Sequence, residues 1–319
     1  MQANNNTKKY RLLTRSNMDG IICASLLKYL EIIDNIKFVH PKDMQDGKIE
    51  ISLDDITANL PYAQGVNKAF DHHYTHTIGN IIINANHVLF TDASSTAEVI
   101  YSYYQRVGAD FPLYFKEMID ALNYANQAKY TIDEIKNPTG WNLLSFIMDP
   151  RTNLGKFKNF RISNYSLMMD LVDYCNKYTI NEILQLPDVK ERVELYNKYQ
   201  QQFIDQLKRC ATLEDETIIL NLKDEEIIYP GNRFLIYTLF PNANTSIHIF
   251  PAKDKKNIVF AVGKSIINKN SNANIAQILS KLGGGGHLNA GTLQVEYSKY
   301  RDTLEEVLFA LTENSLCKV

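Results

Sequence analysis

The feature that most constrains the fold is a pair of polar motifs, each of which directly follows a short apolar segment with the character of a β-strand. Residues 10–14 form the first segment, and the motif after it is Arg15-Ser16-Asn17-Met18-Asp19-Gly20. Residues 66–70 form the second, and the motif after it is Asp71-His72-His73. In open parallel sheets, ligands bind at the carboxyl ends of the strands. Both motifs are therefore expected at one edge of a parallel sheet.

The first half of the chain alternates such segments with helical stretches, which predicts an α/β fold with a Rossmann-like parallel sheet. We expect strands at residues 10–14, 37–40, 66–70 and 87–90, and helices at residues 20–29, 95–105 and 113–127. From residue 216 a second, smaller α/β domain is expected, with strands at residues 218–222, 233–239, 246–250 and 257–262 and a helix at residues 274–282.

Between these two halves, apolar residues recur at three- and four-residue steps, which predicts one face of a long helix. They are Val189, Val193, Tyr196, Phe203, Leu207 and Cys210. We interpret this helix as a connector, which divides the 319 residues into a first domain at 1–186, the connector at 187–215 and a second domain at 216–319. A surface helix of the first domain fits the same pattern equally well.

Composition and charge narrow the class of protein. The net charge of −2 provides no basic body for non-specific binding of nucleic acid, so any such contact needs a local basic cleft. The four cysteines are scattered and form no CxxC pair. No apolar signal core follows the polar amino terminus, and no apolar run is long enough to cross a bilayer. We therefore expect a cytoplasmic protein with reduced thiols and no membrane contact.

The two motifs contain candidate ligands for a metal ion or a phosphate. Asp19 is well placed at the start of a helix that follows a strand, although an aspartate in that position also fits a simple helix N-cap. Asp71 with His72 and His73 combines carboxylate and imidazole, which suits a manganese-like divalent ion or phosphate chemistry. Two alternatives remain for these histidines: a zinc pair of His72 with His76 on a helix, and a surface turn.

A third motif lies near the end of the chain, where a run of four glycines precedes His287. Gly283, Gly284, Gly285 and Gly286 have no side chains, so their backbone N–H groups can approach a phosphate closely. A helix C-cap followed by a loop is the alternative, but a cap requires one glycine and not four.

In this order, the motifs resemble those of the DHH/DHHA1 phosphoesterases, and the resemblance spans nearly the whole chain. Within that superfamily the exopolyphosphatase-related branch is the most similar, through Thr14-Arg15-Ser16, Asp19-Gly20, Cys23-Ala24 and Asn59-Leu60-Pro61-Tyr62. The resemblance implies an amino-terminal DHH domain that holds two Mn²⁺ ions and a DHHA1 domain that brings substrate-binding groups. It also implies that the segment Asp92-Ala93-Ser94-Ser95-Thr96 positions a helix at the cleft, where Ser94 and Ser95 would bind phosphate.

Several ligand positions of the family are substituted here. The first motif should supply His, Asp and Asp, where this chain has Arg15, Asn17 and Asp19. The bridging aspartate of the second motif corresponds to Asn59, and the aspartate of the fourth to Asn126. Asp54, Asp55 and Asp120 are the alternatives at these last two positions. The third motif is intact, with His72 as the expected ligand.

These substitutions change the charge of the expected site. Three amides in place of carboxylates remove three negative charges, and arginine in place of a neutral histidine adds one positive charge. The total of four units equals the charge of two divalent cations, and an amide oxygen is a poor substitute for a bridging carboxylate. We therefore hypothesise a site that needs fewer metal ions, or none, in which Arg15 holds phosphate by bidentate hydrogen bonds.

Two functions follow from the resemblance. The first is a hydrolase that cleaves a phosphodiester or phosphoanhydride, in a short oligonucleotide, a cyclic dinucleotide or polyphosphate, with Mn²⁺ or Mg²⁺. In it, Asp19, Asp71 and His72 would bind any remaining ion, Arg15, His73, His287 and the glycine backbone would bind phosphate, and His73 would be the general acid. The second is a binding protein without catalysis. A structural oligomer paired through the long helix is a third interpretation, and a homodimer stays open.

Overall fold

The computed structural model describes residues 8–73, 85–157, 159–252 and 256–316, with side chains through residue 312. The chain divides into two compact units. Met1–Lys129, Thr139–Pro150 and Gly155–Glu194 form the first unit, and Tyr130–Pro138, Arg151–Leu154 and Leu195–Val319 form the second. Within the described ranges, no helix has the length and apolar character needed to span a membrane. His76 of the alternative zinc pair lies outside the described residues.

The first unit contains a sheet of five parallel strands, which confirms the predicted α/β class. The strands are β1 (Tyr10–Arg15), β2 (Ile33–Val39), β3 (Asp55–Ala58), β4 (Lys68–Asp71) and β5 (His87–Leu89). Their order is β2-β1-β3-β4-β5, and every pair is parallel. Their carboxyl ends therefore share one edge. The strand order reverses between β1 and β3, which is where ligands bind in sheets of this kind.

Helices cover this sheet and supply most of the apolar core of the first unit. They are α1 (Met18–Tyr29), α2 (Pro41–Gln45), α3 (Thr96–Arg106), α4 (Leu113–Asn126), α6 (Gly140–Met148), α7 (Asn164–Lys177) and α8 (Ile180–Ile183). The helix between α4 and α6 in the sequence, α5 (Ile132–Lys136), belongs to the second unit. Most of α1 is buried because it contacts α3 and α7 as well as the sheet. Burial of this helix fixes the position of the loop between β1 and α1.

The second unit contains a mixed sheet of six strands. They are β6 (Ala211–Glu214), β7 (Thr217–Asn221), β8 (Thr245–Pro251), β9 (Asn257–Lys264), β10 (Gly285–His287) and β11 (Ala290–Glu296), in the order β10-β11-β9-β8-β7-β6. Only β7 and β8 pair in parallel among these neighbours. Besides α5, this unit includes the helices α10 (Gln200–Cys210), α11 (Leu235–Leu239), α12 (Ile275–Lys281) and α13 (Tyr300–Leu316). Ile247 and Phe260 of the sheet pack in one apolar core with Leu279 and Val307 of the helices.

The secondary structure differs from the sequence prediction at residues 233–239, predicted as a strand, and at residues 55–58, for which no strand was predicted. The strand predicted at residues 233–239 is wrong, because α11 occupies Leu235–Leu239 and buries Leu235, Ile236 and Tyr237 in succession. A short apolar run does not distinguish a buried helix from a buried strand. Strand β3 was not predicted, since aspartate and alanine are uncommon in strands, although all four of its residues are buried.

The long helix predicted at residues 187–210 is two consecutive helices, α9 (Pro187–Lys198) and α10, with Tyr199 between them. The predicted apolar face is confirmed at Val189, Tyr196, Phe203 and Leu207, which are all buried. The boundary between the two units falls within α9, after Glu194. The predicted division into residues 1–186, 187–215 and 216–319 stays a prediction.

Candidate active site

The carboxyl edge of the parallel sheet brings three of the predicted polar segments together. Arg15 ends β1, Asn59 directly follows β3, and Asp71 ends β4. Since β1, β3 and β4 are neighbours in the sheet, their ends are adjacent. The amino terminus of α3 joins them, because its backbone contacts Asp19. One edge of the first unit thus carries most of the predicted site.

The loop between β1 and α1 is held by Asn17 and Gly20. The Asn17 side chain caps α1 by accepting a hydrogen bond from the backbone N of Gly20 at 2.9 Å. A Cβ atom on Gly20 would lie 1.9 Å from the carbonyl oxygen of Arg15, so only glycine fits there. The alternative prediction of Asp19 as the N-cap is wrong, because Asn17 has that position.

Asn17 and Asn59 form a direct amide pair. Nδ2 of Asn59 donates to Oδ1 of Asn17 at 3.1 Å, and Asn59 is 3% exposed. Two carboxylates at this distance would repel each other and would need a cation between them. The amide pair provides donor and acceptor without charge, so these two positions are complementary without a metal ion.

Asp19 is buried and engaged with the start of α3. It is 2% exposed, and its two oxygens accept hydrogen bonds from the backbone N of Thr96 at 3.0 Å and of Ala97 at 2.9 Å. The Cys23 thiol is a third donor, 3.5 Å from Oδ1. Burial, with Asp19 beside it, raises the pKa of Cys23 well above its usual value, so the thiol keeps its proton. A carboxylate with these donors stabilises the positive end of α3.

Asp71 organises the two histidines that follow it. It is 1% exposed, and its Oδ1 accepts from the backbone N of His72 at 2.8 Å and of His73 at 3.2 Å. The same oxygen lies 2.8 Å from Nδ1 of His73. His72 turns the other way, with Nδ1 2.8 Å from the Thr96 hydroxyl. The two imidazoles therefore have different partners.

A polar network fixes the turn that contains the predicted phosphate ligands Ser94 and Ser95. Ser95 caps α3 and donates to Oδ1 of Asn123 at 2.7 Å. One oxygen of Glu98 accepts from the backbone N of Ser94 at 2.8 Å and from Nδ2 of Asn123 at 3.0 Å. Asn126, the predicted fourth-motif position, donates to the carbonyl oxygen of Ser94 at 3.0 Å.

The site predicted from sequence does not include Thr96, Glu98 or Asn123. The spacing of Ser95 and Glu98 is the capping-box signal, which would have predicted the start of α3. No sequence signal indicates Asn123, because it approaches Ser95 from a separate helix.

Arg15 has an exposed side chain at the end of β1, unlike the buried Asp19, Asn59 and Asp71. Among the described residues, none forms a hydrogen bond or ion pair with its guanidinium group. An exposed guanidinium beside the carboxyl edge has its donors available for an anionic ligand.

The alternative aspartates lie away from this edge. Asp55 begins β3, at the opposite end of the sheet, and forms an ion pair with Arg11 at 2.6 Å. The Arg11 guanidinium helps to lower the pKa of Asp55 against the opposing effect of burial. Asp54 contacts Lys8 at 2.6 Å, and Asp120 contacts Lys116 on the surface of α4. None of the three contributes to the site in the described structure.

The residues present do not fit the two-ion centre that the family resemblance implies. Both oxygens of Asp19 already accept hydrogen bonds, and Asn17 and Asn59 bond to each other. Among the described residues, one group of three histidine, cysteine or acidic side chains could hold an ion: Asp71, His72 and His73, whose candidate ligand atoms lie within 4.8 Å of one another. Within the described ranges, the donor set therefore has room for a single ion at most.

The glycine run lies in the second unit. At three of its four positions, the local backbone conformation or packing requires glycine. Gly283 follows α12 with a φ of +83°, as a helix-terminating glycine does. A Cβ on Gly284 would lie 2.6 Å from the carbonyl oxygen of Thr292, and one on Gly286 would lie 2.4 Å from that of Ala290. A Cβ on Gly285 would meet nothing within 4 Å. His287 is exposed beside it on β10.

Alanine substitutions at Gly285 and Gly286 are expected to differ in stability. Gly286→Ala forces its methyl group against β11 and is expected to lower the free energy of unfolding by about 1–3 kcal/mol. Gly285→Ala enters open space and is expected to change it by less than about 0.5 kcal/mol. Thermal unfolding of both variants tests this, and equal destabilisation would contradict the assigned packing.

Comparisons with known proteins identify the class, a DHH-type phosphoesterase fold. No protein-family model matches the chain, and no curated protein matches it. Among solved structures, the pGpG-specific phosphodiesterase PggH from Vibrio cholerae is 47% identical, covers 96% of this chain and 100% of its own, and superposes with a TM-score of 0.83. The chain therefore belongs to the DHH/DHHA1 phosphoesterase family, as the motifs indicated.

A second solved structure shares the fold. RecJ from Thermus thermophilus, solved in complex with Mn²⁺, is 13% identical, with 95% of this chain and 52% of RecJ covered and a TM-score of 0.54. At this identity, the likeness concerns the fold alone.

Proposed function

We propose that this chain is a phosphodiesterase that hydrolyses the linear dinucleotide pGpG to two molecules of GMP. One observation carries the proposal: 47% identity over the full length of a protein described as a pGpG-specific phosphodiesterase. The Asp71-His72-His73 motif at the carboxyl edge of the sheet supports it, because this edge is where parallel sheets bind ligands.

The proposed reaction needs one water and one proton transfer to the leaving group. The water oxygen forms a new bond to phosphorus, the P–O3′ bond breaks, and the water proton passes to solvent. His73 donates a proton from Nε2 to the leaving 3′ oxygen and is reprotonated from solvent. Asp71 beside Nδ1 of His73 fixes the ring so that Nε2 faces away from the carboxylate.

Phosphate binding is assigned to groups around this pair. Arg15 provides an exposed guanidinium for bidentate hydrogen bonds to phosphate oxygens. Ser94 and Ser95 lie in the turn before α3, whose amino terminus favours anions. The glycine run of the second unit is a separate proposed phosphate-binding segment, at Gly285 and His287, since Gly285 is the glycine of the run without a packing reason.

Mn²⁺ or Mg²⁺ at a single position remains part of the proposal, and the Asp71 carboxylate is the group that would hold it. A divalent ion bound there would neutralise charge on the phosphate. No step of the proposed reaction depends on a second ion.

Chromatography of pGpG incubated with the purified chain tests the function. We expect two molecules of GMP for each pGpG, and a loss of turnover of about 10²–10⁴-fold in His73→Gln, because general acid catalysis by a positioned side chain has that magnitude. Intact pGpG after prolonged incubation, with or without added Mn²⁺, would contradict the proposal.

Arg15→Gln is expected to raise KM for pGpG about 10–100-fold, since hydrogen bonds to charged groups are among the strongest in proteins. The matched control is Arg106→Gln, which removes the same charge at the opposite end of α3, far from its amino terminus. Steady-state kinetics measures KM for pGpG in both variants and in the wild type. Equal KM values for Arg15→Gln and the wild type would remove Arg15 from the substrate site.

A binding protein without catalysis is the second candidate, and the Asn17–Asn59 pair favours it. This pair occupies two positions where the family resemblance implies metal-binding carboxylates. Calorimetric titration with pGpG distinguishes the candidates: binding with no GMP formed supports a binding protein, and GMP formation excludes it.

A cytoplasmic location and a homodimer stay predictions. Sedimentation equilibrium of the purified chain tests the second, for which a single 36.6 kDa species would be the contrary result.

A further inference from the structure

The contact between Thr96 and His72 joins the start of α3 to the histidine that the family resemblance makes a metal ligand. Thr96 Oγ1 lies 2.8 Å from Nδ1 of His72. Thr96 is fully buried, at 0% exposure, so water does not satisfy its hydroxyl group. Its backbone N donates to Asp19, which fixes the position of the residue.

The direction of this hydrogen bond follows from the requirement that the buried Thr96 hydroxyl group has an acceptor for its hydrogen. A buried hydroxyl hydrogen requires an acceptor, and leaving it without one is costly. Among the described residues, Nδ1 of His72 is the one acceptor in hydrogen-bonding contact with Oγ1 of Thr96. The hydroxyl therefore donates, and Nδ1 of His72 is the acceptor and carries no hydrogen.

We infer that Thr96 is a positioning residue that holds His72 in the tautomer with hydrogen on Nε2, so that His72 donates a hydrogen bond to a substrate phosphate oxygen. A metal ligand would need a lone pair at Nε2, which this tautomer does not have. The phosphate contact rests on the proposed function, whereas the tautomer does not.

The contacts at the Nδ1 atoms of His73 and His72 determine which ring nitrogen of each histidine carries hydrogen. Asp71 contacts Nδ1 of His73, and a carboxylate accepts, so Nδ1 of His73 carries hydrogen. Thr96 contacts Nδ1 of His72 and donates. In their neutral forms the adjacent imidazoles, whose ring centroids are 3.9 Å apart, are thus set in opposite tautomers, and Nε2 of His73 is the atom that gains and then loses the catalytic proton. His72 then offers a donor toward the substrate while His73 exchanges a proton.

Nitrogen NMR of the histidine rings tests the inference without any turnover. We expect wild-type His72, assigned by its loss in His72→Gln, to show hydrogen on Nε2 and none on Nδ1. Thr96→Ser retains the hydroxyl and is expected to keep this pattern. Thr96→Val has the same shape without a hydroxyl and is expected to give a mixture of tautomers. Hydrogen on Nδ1 of wild-type His72 would overturn the inference, as would an unchanged spectrum in Thr96→Val.

Kinetics provide the second measurement. Thr96→Val is expected to lower kcat/KM for pGpG about 10–100-fold, the range for one misoriented catalytic contact, and Thr96→Ser to restore it to within about threefold of wild type. Thermal unfolding shows whether each variant is folded. If wild type does not hydrolyse pGpG, the proposed function fails, while the NMR result still decides the tautomer. Wild-type activity in Thr96→Val with an intact fold would overturn the role of Thr96.

Discussion

Asp19→Asn is expected to lower the free energy of unfolding of the first unit by about 2–4 kcal/mol, even in the presence of a chelator. Asp19 is buried, and its oxygens accept from the backbone N of Thr96 and of Ala97. Asparagine replaces one of these oxygens with an NH₂ group that faces another donor. The loss of one charge-assisted hydrogen bond accounts for about 1.5–3 kcal/mol, and the weaker interaction with the helix dipole for the remainder.

The matched control is Asp43→Asn, which makes the same change in the first turn of α2 at a side chain that is 43% exposed. We expect its effect to stay below about 1 kcal/mol, because an exposed aspartate near a helix start contributes little. Chemical unfolding in EDTA compares the two variants with wild type. If Asp19 served only as a metal ligand, Asp19→Asn would be at least as stable as wild type in EDTA, and this result would contradict its structural role.

The second large effect is expected from restoring carboxylates at Asn17 and Asn59. Asn59→Asp removes the donor of the amide pair and places a buried carboxylate about 3 Å from Oδ1 of Asn17. We expect it to lower the free energy of unfolding by about 2–4 kcal/mol in EDTA. Asn17→Asp alone is expected to be neutral or stabilising, since aspartate also caps helices and accepts from Asn59.

The double variant, with both aspartates, is expected to be the least stable in EDTA and to be restored by Mn²⁺, because two adjacent carboxylates form a cation site. The control Asn35→Asp adds one negative charge at an exposed position of β2. Its stability is expected to equal that of the wild type both in EDTA and with added Mn²⁺. Thermal unfolding with and without Mn²⁺ measures these effects. A double variant that is as stable as wild type in EDTA would show that the amide pair does not replace a metal ion.

Much of the position of the site could be predicted from sequence because it follows from chain direction. Arg15 and Asp71 both end a strand, and parallel strands place such residues at one edge. The amide positions Asn17 and Asn59 came from the family resemblance. Their direct hydrogen bond could not be predicted, because the two residues are 42 positions apart and β3 had not been recognised as the strand between them.

The partners of the predicted residues were harder to predict than the residues themselves. Asp19 accepts a hydrogen bond from the backbone N of Thr96, which is 77 positions away in the sequence. This contact forms because α1 and α3 pack against each other. Sequence rules for helix caps consider only residues close in the chain, so they predicted Asp19 only as a cap of its own helix, α1. The same limit applies to Thr96 and His72, whose contact depends on the tertiary fold.

Equilibrium dialysis with Mn²⁺, followed by pGpG hydrolysis at each metal concentration, tests the central claim most directly. The claim is that this member of the DHH/DHHA1 family acts on its substrate without a two-ion centre. We predict fewer than two tightly bound ions per chain and GMP formation that does not require a second equivalent. Two tightly bound ions per chain, with hydrolysis that appears only when both are present, would contradict it.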